Sequence, residues 1–301
     1  MSHDSDLAVL SLHGRSFRLA GRLLGHRTFA RAAGLYAVCR AIDDLADEAP
    51  DPLLAGNALR ALRIDIASQQ GGTPLGRRLL DLRVDPHASL MLVDTMLSDL
   101  EPVRIADETA LLRYAHGAAG TVGLMMCDVL QVIDPAARPR AVDLGIAMQL
   151  TNIARDVCED ADRDRLYLPQ AWLPAPTAPA AILDDRDATY RAVQRLLALA
   201  EQFYQSGAAG YAALPGRAAV AIPVAAALYR EIGRHILRIG PAYLDQPRYV
   251  IPPLVRGAVA ARCAAAQLLA SIGRQATALS PEAAASFSRG AKSGLIGRDL
   301  A

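Results

Sequence analysis

At 301 residues the chain exceeds the commonest domain size but lies within reach of one helical body, and a single domain over residues 1–301 is expected. Apolar side chains make up 52% of it and aromatic ones 5%, a balance that suits packed helices and argues against a β-sandwich. The formal net charge of +1 gives no electrostatic ground for a nucleic-acid partner, so an anionic ligand would have to be held by a local arrangement of charge.

The N-terminal MSHDSDLAVL has no basic stretch followed by a long apolar run, so no secretory signal is read and a cytoplasmic location is expected. Apolar residues recur with helical period over residues 6–24, 27–48, 53–69, 86–99, 107–133, 138–163, 188–213, 217–239 and 254–278. Alternating runs bounded by hairpin signals are absent, and the expected fold is all-α. Breaks are expected at Pro50 with Pro52, at Gly71 and Gly72, at Pro135 with Pro139, and in the proline-rich WLPAPTAPA from Trp172. The most apolar run, Ala218 to Tyr229, contains Pro223 and falls short of the roughly 20 residues a bilayer span needs, which leaves only peripheral membrane contact open. Cys39, Cys127, Cys158 and Cys263 are far apart, form no CxxC, and read as free thiols filling the core.

Three segments carry more than packing. In YAVCRAIDDLADE, Asp43 and Asp47 stand at i and i+4 with Asp44 beside them, and Tyr36 and Arg40 precede them near the same side of a helix. In QLTNIARDVCED, Gln149, Asn152, Asp156 and Asp160 form a second stripe, with Arg155 and Glu159 alongside. An acidic i, i+4 pair is most often a solvated helix face. Two such stripes in helices otherwise filled with Leu, Ile, Ala and Val favour a site. Carboxylates gathered in apolar surroundings repel one another, and a divalent cation removes that cost. Oxygen-only ligands select a hard ion such as magnesium, which usually completes its shell with water and substrate phosphates. Arg40, Arg155, Arg163 and Arg165, with Tyr167, supply donors for a phosphate. The third segment, YAHGAAGTVGLMM, places Gly117, Gly120 and Gly123 inside a helical pattern. That spacing admits a kink, a close approach to something bulky, or tight packing between helices. The histidines show no paired metal spacing, and no GxGxxG, GxSxG or P-loop is present.

These three segments, with QLTNIARDVCEDADRDRLYLPQAWL read through to Leu173, resemble the head-to-head prenyl synthases, the phytoene and squalene synthases. Weaker similarity extends through HGRSF near Ser16 and LYREIG near Tyr229. The resemblance implies an isoprenoid-synthase-type helical bundle around a central cavity. It implies Asp43, Asp47, Asn152, Asp156 and Asp160 as metal ligands, with Asp44 and Glu159 in support. Arg40, Arg155, Arg248, Gln149 and Asn152 would contact diphosphate, and Tyr36, Tyr114, Tyr167 and Tyr229 would line the reaction chamber. The implied cofactor is magnesium, or manganese in its place, with no NADPH. The wording of the Gln149–Leu173 block is most similar to bacterial phytoene synthases. Their implied reaction joins two geranylgeranyl diphosphates through a cyclopropyl diphosphate to phytoene, in carotenoid biosynthesis. Squalene or dehydrosqualene formation from farnesyl diphosphate is the alternative. A non-catalytic helical assembly factor is a third reading, whose expected mark, loss of the aspartates, is missing. Three positions depart from the family pattern: Arg18 after SF, Cys158 where RDVGED is usual, and no lysine following Arg248 in PRYVIPPL.

Overall fold

Helix starts follow a repeated device, a short polar side chain before a proline. Asp51, Thr73 and Asp85 accept hydrogen bonds from the first-turn amides of α4 (Pro52–Ser68), α5 (Pro74–Leu82) and α6 (Pro86–Ser98), while the proline at the first helical position gives up an amide that would have no partner. Asp107 and Asp185 cap α7 (Glu108–Ala115) and α10 (Arg186–Ala208) in the same way. The computed structural model describes residues 3–47, 51–174 and 178–278. Within them also lie α1 (His3–His13), α2 (Arg15–Gly21), α3 (His26–Asp47), α8 (Thr121–Leu130), α9 (Ala137–Asp162), α11 (Ala218–Ile239) and α12 (Pro253–Ala278). No β-strand occurs among the described residues, and the fold is all-α.

The helices pack around two large apolar clusters. One gathers Leu35, Val38 and Ile42 of α3, Leu59 and Leu62 of α4, Leu92 and Val93 of α6, and Met125 of α8. The other gathers Leu150, Ile153 and Val157 of α9, Val193 and Leu196 of α10, and Leu228 and Ile232 of α11. Helices α8 and α9 stand back to back between them. A Cβ on Gly123 would lie 2.1 Å from the carbonyl oxygen of Ala141, and one on Gly145 would lie 2.2 Å from that of Ala119. The backbones therefore touch, which decides what the glycine segment does: it permits close packing between helices.

Four expectations are corrected. The first predicted helix is two, parted at Gly14. The span 107–133 is α7 and α8 joined by a π-helical turn at His116–Gly120, which shifts the register of the side chains on either side. Helix α5 falls where only a break was expected. Its nine residues are too few to display a period, although Thr73-Pro74 marks its start. The last predicted turn of 188–213 is a tighter 3₁₀ segment, Ala209–Ala213. Glu48, Pro50 and residues 175–177 of the proline-rich loop lie outside the described residues, as do residues 279–301 of the expected single domain.

Candidate active site

Burial of Leu35, Val38 and Ile42 in the first cluster leaves Tyr36, Arg40, Asp43, Asp44 and Asp47 on the remaining face of α3. Burial of Leu150, Ile153, Ala154 and Val157 in the second leaves Gln149, Asn152, Asp156, Glu159 and Asp160 on the matching face of α9. The two stripes belong to different halves of the core and meet at the seam. Two facts establish the meeting: Asp47 lies close enough to raise the pKa of Asp160, and Arg165 donates to Asp47 from the segment just after α9.

That segment is held in place by its backbone. Ile105 N–H donates to Leu166 O at 3.1 Å, Leu166 N–H to Val103 O at 3.0 Å, and Gln170 N–H to Ile105 O at 2.9 Å. In this stretch Leu166, Tyr167 and Leu168 are all buried in the second cluster, while the Tyr167 hydroxyl reaches Asp99 and Arg165 reaches Asp47. Arg165 also reaches the carbonyls of Ala46 and Asp99, each at 3.5 Å.

Arginines hold both stripes. Arg40 contacts Asp43 at 2.9 Å and Asp44 at 2.6 Å. Arg155 grips both oxygens of the adjoining Asp156 at 2.6 Å each. Arg248 approaches the same carboxylate at 2.7 and 3.1 Å, with Glu159 at 3.6 Å. Burial alone would raise the pKa of Asp156, but the two arginines reverse the effect and hold it below the usual carboxylate range. Asp43 and Asp160 behave oppositely. Burial first, then Asp47 for the one and Asp156 for the other, pushes each up to about 7 against the pull of Arg40 and Arg165 respectively.

The four predicted tyrosines fall into two groups. Tyr36 and Tyr229 flank Phe17 of α2, with ring centroids 5.8 and 4.9 Å from it, beside Arg40 and Arg155. Tyr114 and Tyr167 pack against each other at 4.8 Å, and both donate to one carboxylate oxygen of Asp99, at 2.9 and 3.4 Å. The sequence reading missed Asp99, which is buried at the end of α6, and Phe17. One signal for Asp99 was available: a carboxylate at a helix C-terminus opposes the macrodipole and needs a partner from elsewhere. Burial carries its pKa up to about 6 while the Tyr114 hydroxyl and the Arg165 charge hold it back.

The donor set fits a hard cation. It offers oxygen only, and Asn152 Oδ1 is buried without a hydrogen-bond partner while its Nδ2 donates to Gln149 at 3.4 Å. The raised pKa values of Asp43 and Asp160 reflect burial first and carboxylate repulsion second, and a bound cation would offset both. No three carboxylate, histidine or cysteine side chains converge on a single point among the described residues. Each stripe can thus offer an ion one or two carboxylates, the usual protein share of a magnesium shell. Cys158, where the family usually has glycine, turns its thiol to Leu244 O at 3.3 Å, so it disturbs neither stripe.

A helical body that turns two aspartate stripes toward each other has isoprenoid-synthase architecture. It superposes on a dehydrosqualene synthase crystal structure with a TM-score of 0.73 and 23% identity, over 87% of this chain and 96% of that one. For a squalene synthase from Alicyclobacillus acidocaldarius the TM-score is 0.66 at 21% identity, covering 78% and 94%. The sequence model of the squalene/phytoene synthase family matches residues 10–255, and the chain belongs to that family. It is 33% identical to a 15-cis-phytoene synthase of Enterobacter agglomerans, over 81% of this chain and 89% of the relative. A 15-cis-phytoene synthase of a Paracoccus strain is 36% identical, over 79% and 84%, and a phytoene synthase of Thermus thermophilus 39%, over 75% and 80%.

Proposed function

We propose that the chain is a prenyltransferase that joins two geranylgeranyl diphosphates head to head to give phytoene, for carotenoid biosynthesis. The observation that carries the reading is the meeting of the α3 and α9 stripes at one seam, with Arg40, Arg155 and Arg248 among them. Similarity to phytoene synthases over most of the chain supports the choice of substrate.

Asp43 and Asp47 on one side, and Asn152, Asp156 and Asp160 on the other, would hold magnesium or manganese, which when bound neutralises charge developing on a departing diphosphate. Asp44 and Glu159 would keep the flanking arginines in place. Arg40, Arg155 and Arg248, with Gln149 and Asn152, would bind and orient the diphosphate oxygens. Phe17, Tyr36 and Tyr229 would present ring faces beside the ionising carbon and exclude water from the allylic cation. Tyr114 and Tyr167, tethered to Asp99, would form the opposite wall. The second substrate's double bond attacks that cation to give a tertiary cation, and loss of a proton closes the cyclopropane. A second ionisation, rearrangement and loss of a proton then give a conjugated triene. Because a proton leaves and no hydride enters, the reaction needs no NADPH.

The test is incubation of purified protein and magnesium with geranylgeranyl or farnesyl diphosphate, with and without NADPH, followed by identification of the hydrocarbon. A C40 triene from the C20 substrate without NADPH is expected, and a C30 product alone would assign the chain to the farnesyl branch.

A further inference from the structure

Arg248 sits on a segment with few anchors. Between the buried Leu244 and Ile251, residues 245–250 are exposed except Tyr249, which is half-buried. Pro247 has no amide to donate, and no backbone hydrogen bond joins residues 247–250 to another described residue. Two side chains hold the segment instead. Arg248 reaches Asp156 and Glu159 of α9, and Tyr249 lies flat on His235 of α11, with ring centroids 3.6 Å apart and planes 6° from parallel. His235 is a fixed platform, because Ile232 and Ile236 of the same helix are buried in the second cluster. Burial, then the charge of Arg238, lowers its pKa against the pull of Glu231, so the imidazole is neutral at pH 7 and stacks as an uncharged ring.

Of the two anchors, the Arg248 contact is the one that a diphosphate would replace. Once it is given up, Tyr249 is the anchor left between Leu244 and Ile251. The stack adjoins the arginines it would serve: Arg155, Glu159, His235, Arg248 and Tyr249 line one crevice. We propose that His235 and Tyr249 form a latch that holds Arg248 ready for the diphosphate, which makes His235 a positioning residue of the reaction. The inference rests on the proposed role of Arg248 and deepens it. A segment without the stack would have to be ordered each time substrate binds, whereas a stacked one is ordered beforehand and binds more tightly for that reason. The latch also gives a use to one departure from the family pattern. No lysine follows Arg248, and the residue standing there is the tyrosine of the stack.

The experiment compares wild type, His235→Ala and His235→Phe in three properties. These are the Kd for inorganic diphosphate in magnesium by calorimetry, the steady-state KM and kcat, and the rate at which trypsin cuts after Arg248, read by mass spectrometry. In His235→Ala, Kd and KM are expected to rise about three- to tenfold with kcat within about twofold of wild type. The cut after Arg248 should be at least about threefold faster. His235→Phe keeps a ring face for Tyr249 and is expected to restore wild-type values. In an Arg248→Gln background, His235→Ala should raise Kd no further, since the latch acts through Arg248. Should His235→Ala fail to fold, Tyr249→Leu, which keeps apolar bulk on the segment, must show the same rise in Kd. An unchanged Kd in folded His235→Ala, a His235→Phe protein as weak as His235→Ala, or an equal rise with and without Arg248 overturns the proposal. A wild type that binds diphosphate but makes no hydrocarbon counts against the proposed reaction alone, and Kd and digestion then decide the latch. A wild type that binds no diphosphate overturns both.

Discussion

Replacing Gly123 by alanine puts the seam between the two halves of the core to a direct test. In an open helix position this substitution stabilises by up to about 1 kcal/mol, because alanine loses less backbone freedom on folding. At Gly123 the added methyl would stand 2.1 Å from Ala141 O and 2.7 Å from its carbonyl carbon, whereas ordinary contact begins near 3.4 Å. Both partners are helix backbone, so no side chain can swing aside, and α8 and α9 must part by roughly 1 Å in a close-packed interior. Such overpacking typically costs about 1–3 kcal/mol, and a backbone obstacle places it at the upper end. Set against the gain in helix propensity, the net loss is about 2 kcal/mol, or roughly 4 °C in Tm for a chain of this size. Gly257 of α12 has nothing within 4 Å of its Cβ position and serves as the control, where alanine should stabilise by about 0.5–1 kcal/mol. Urea denaturation should therefore give midpoints that move in opposite directions for the two variants, with unchanged slope. Gly145→Ala opens the same interface from the other helix, so the double variant should lose less than the two single losses together. A Gly123→Ala protein as stable as wild type would refute the backbone contact and the joining of the two clusters through it.

Other outcomes follow from single groups. Asp43→Asn and Asp156→Asn should each abolish product formation while circular dichroism stays helical, and magnesium with inorganic diphosphate should raise the Tm of the wild type but not of either variant. Turnover within tenfold of wild type in either would count against the ligand roles. Asp65 accepts from Gly72 N at 2.8 Å, Thr73 N at 2.7 Å and Thr73 Oγ1 at 2.6 Å, tying α4 to the start of α5, and the Thr73 bonds hold its pKa below the ordinary value. A depressed folded-state pKa contributes stability that is present above the unfolded value near 4 and is lost as pH falls through the lower folded value. Asp65→Asn should thus cost about 2 kcal/mol at pH 7 in urea denaturation, and the gap to wild type should narrow toward pH 2. A gap independent of pH would show that ionisation plays no part.

Both stripes could be read from sequence because a four-residue spacing on a helix fixes which side chains share a face, whatever the rest of the fold does. The period of the flanking Leu, Ile and Val also fixed which face is buried, so α3 and α9 fell where the pattern put them. What the pattern could not carry was contact between residues far apart in the chain. Asp99 belongs to the site through hydroxyls from Tyr114 and Tyr167, and nothing in MLSDL announces either partner. Arg165 read as a phosphate donor, and its position on Asp47 depends on backbone bonds from residues 103–106 to the stretch after α9. For the glycine segment, local spacing permitted a kink, room for a ligand, or close packing. The answer came from Ala141 and Gly145 on another helix. The π-helical turn just past Tyr114 was equally hidden, since one added residue per turn leaves an apolar pattern nearly unchanged over so short a segment.

The double grip on Asp156 separates two arginines that sequence alone treats alike. Arg155 and Asp156 are both mostly buried, at 13% and 17% side-chain exposure, and adjoin in the same helix, so their pair is formed whether or not a ligand is present. Arg248 is 45% exposed and comes from the segment between α11 and α12. It can therefore leave the carboxylate for a diphosphate at little cost, because solvent already screens it and Arg155 keeps Asp156 ionised. Its contact with substrate would be made on binding and kept through ionisation, which is uniform binding and acts on KM. Arg248→Gln should raise KM by about 10- to 100-fold, the worth of a charge-assisted bond of roughly 1.5–3 kcal/mol, and leave kcat within about threefold. Arg155→Gln should instead lower kcat, because Asp156 would lose its buried partner and its pKa would rise with burial unopposed from that side. Raising the pH should recover part of the Arg155→Gln loss by restoring the carboxylate, and should do nothing for Arg248→Gln. Steady-state kinetics across pH separates the two, and an unchanged KM in Arg248→Gln would mean that this arginine stays on Asp156 throughout the reaction.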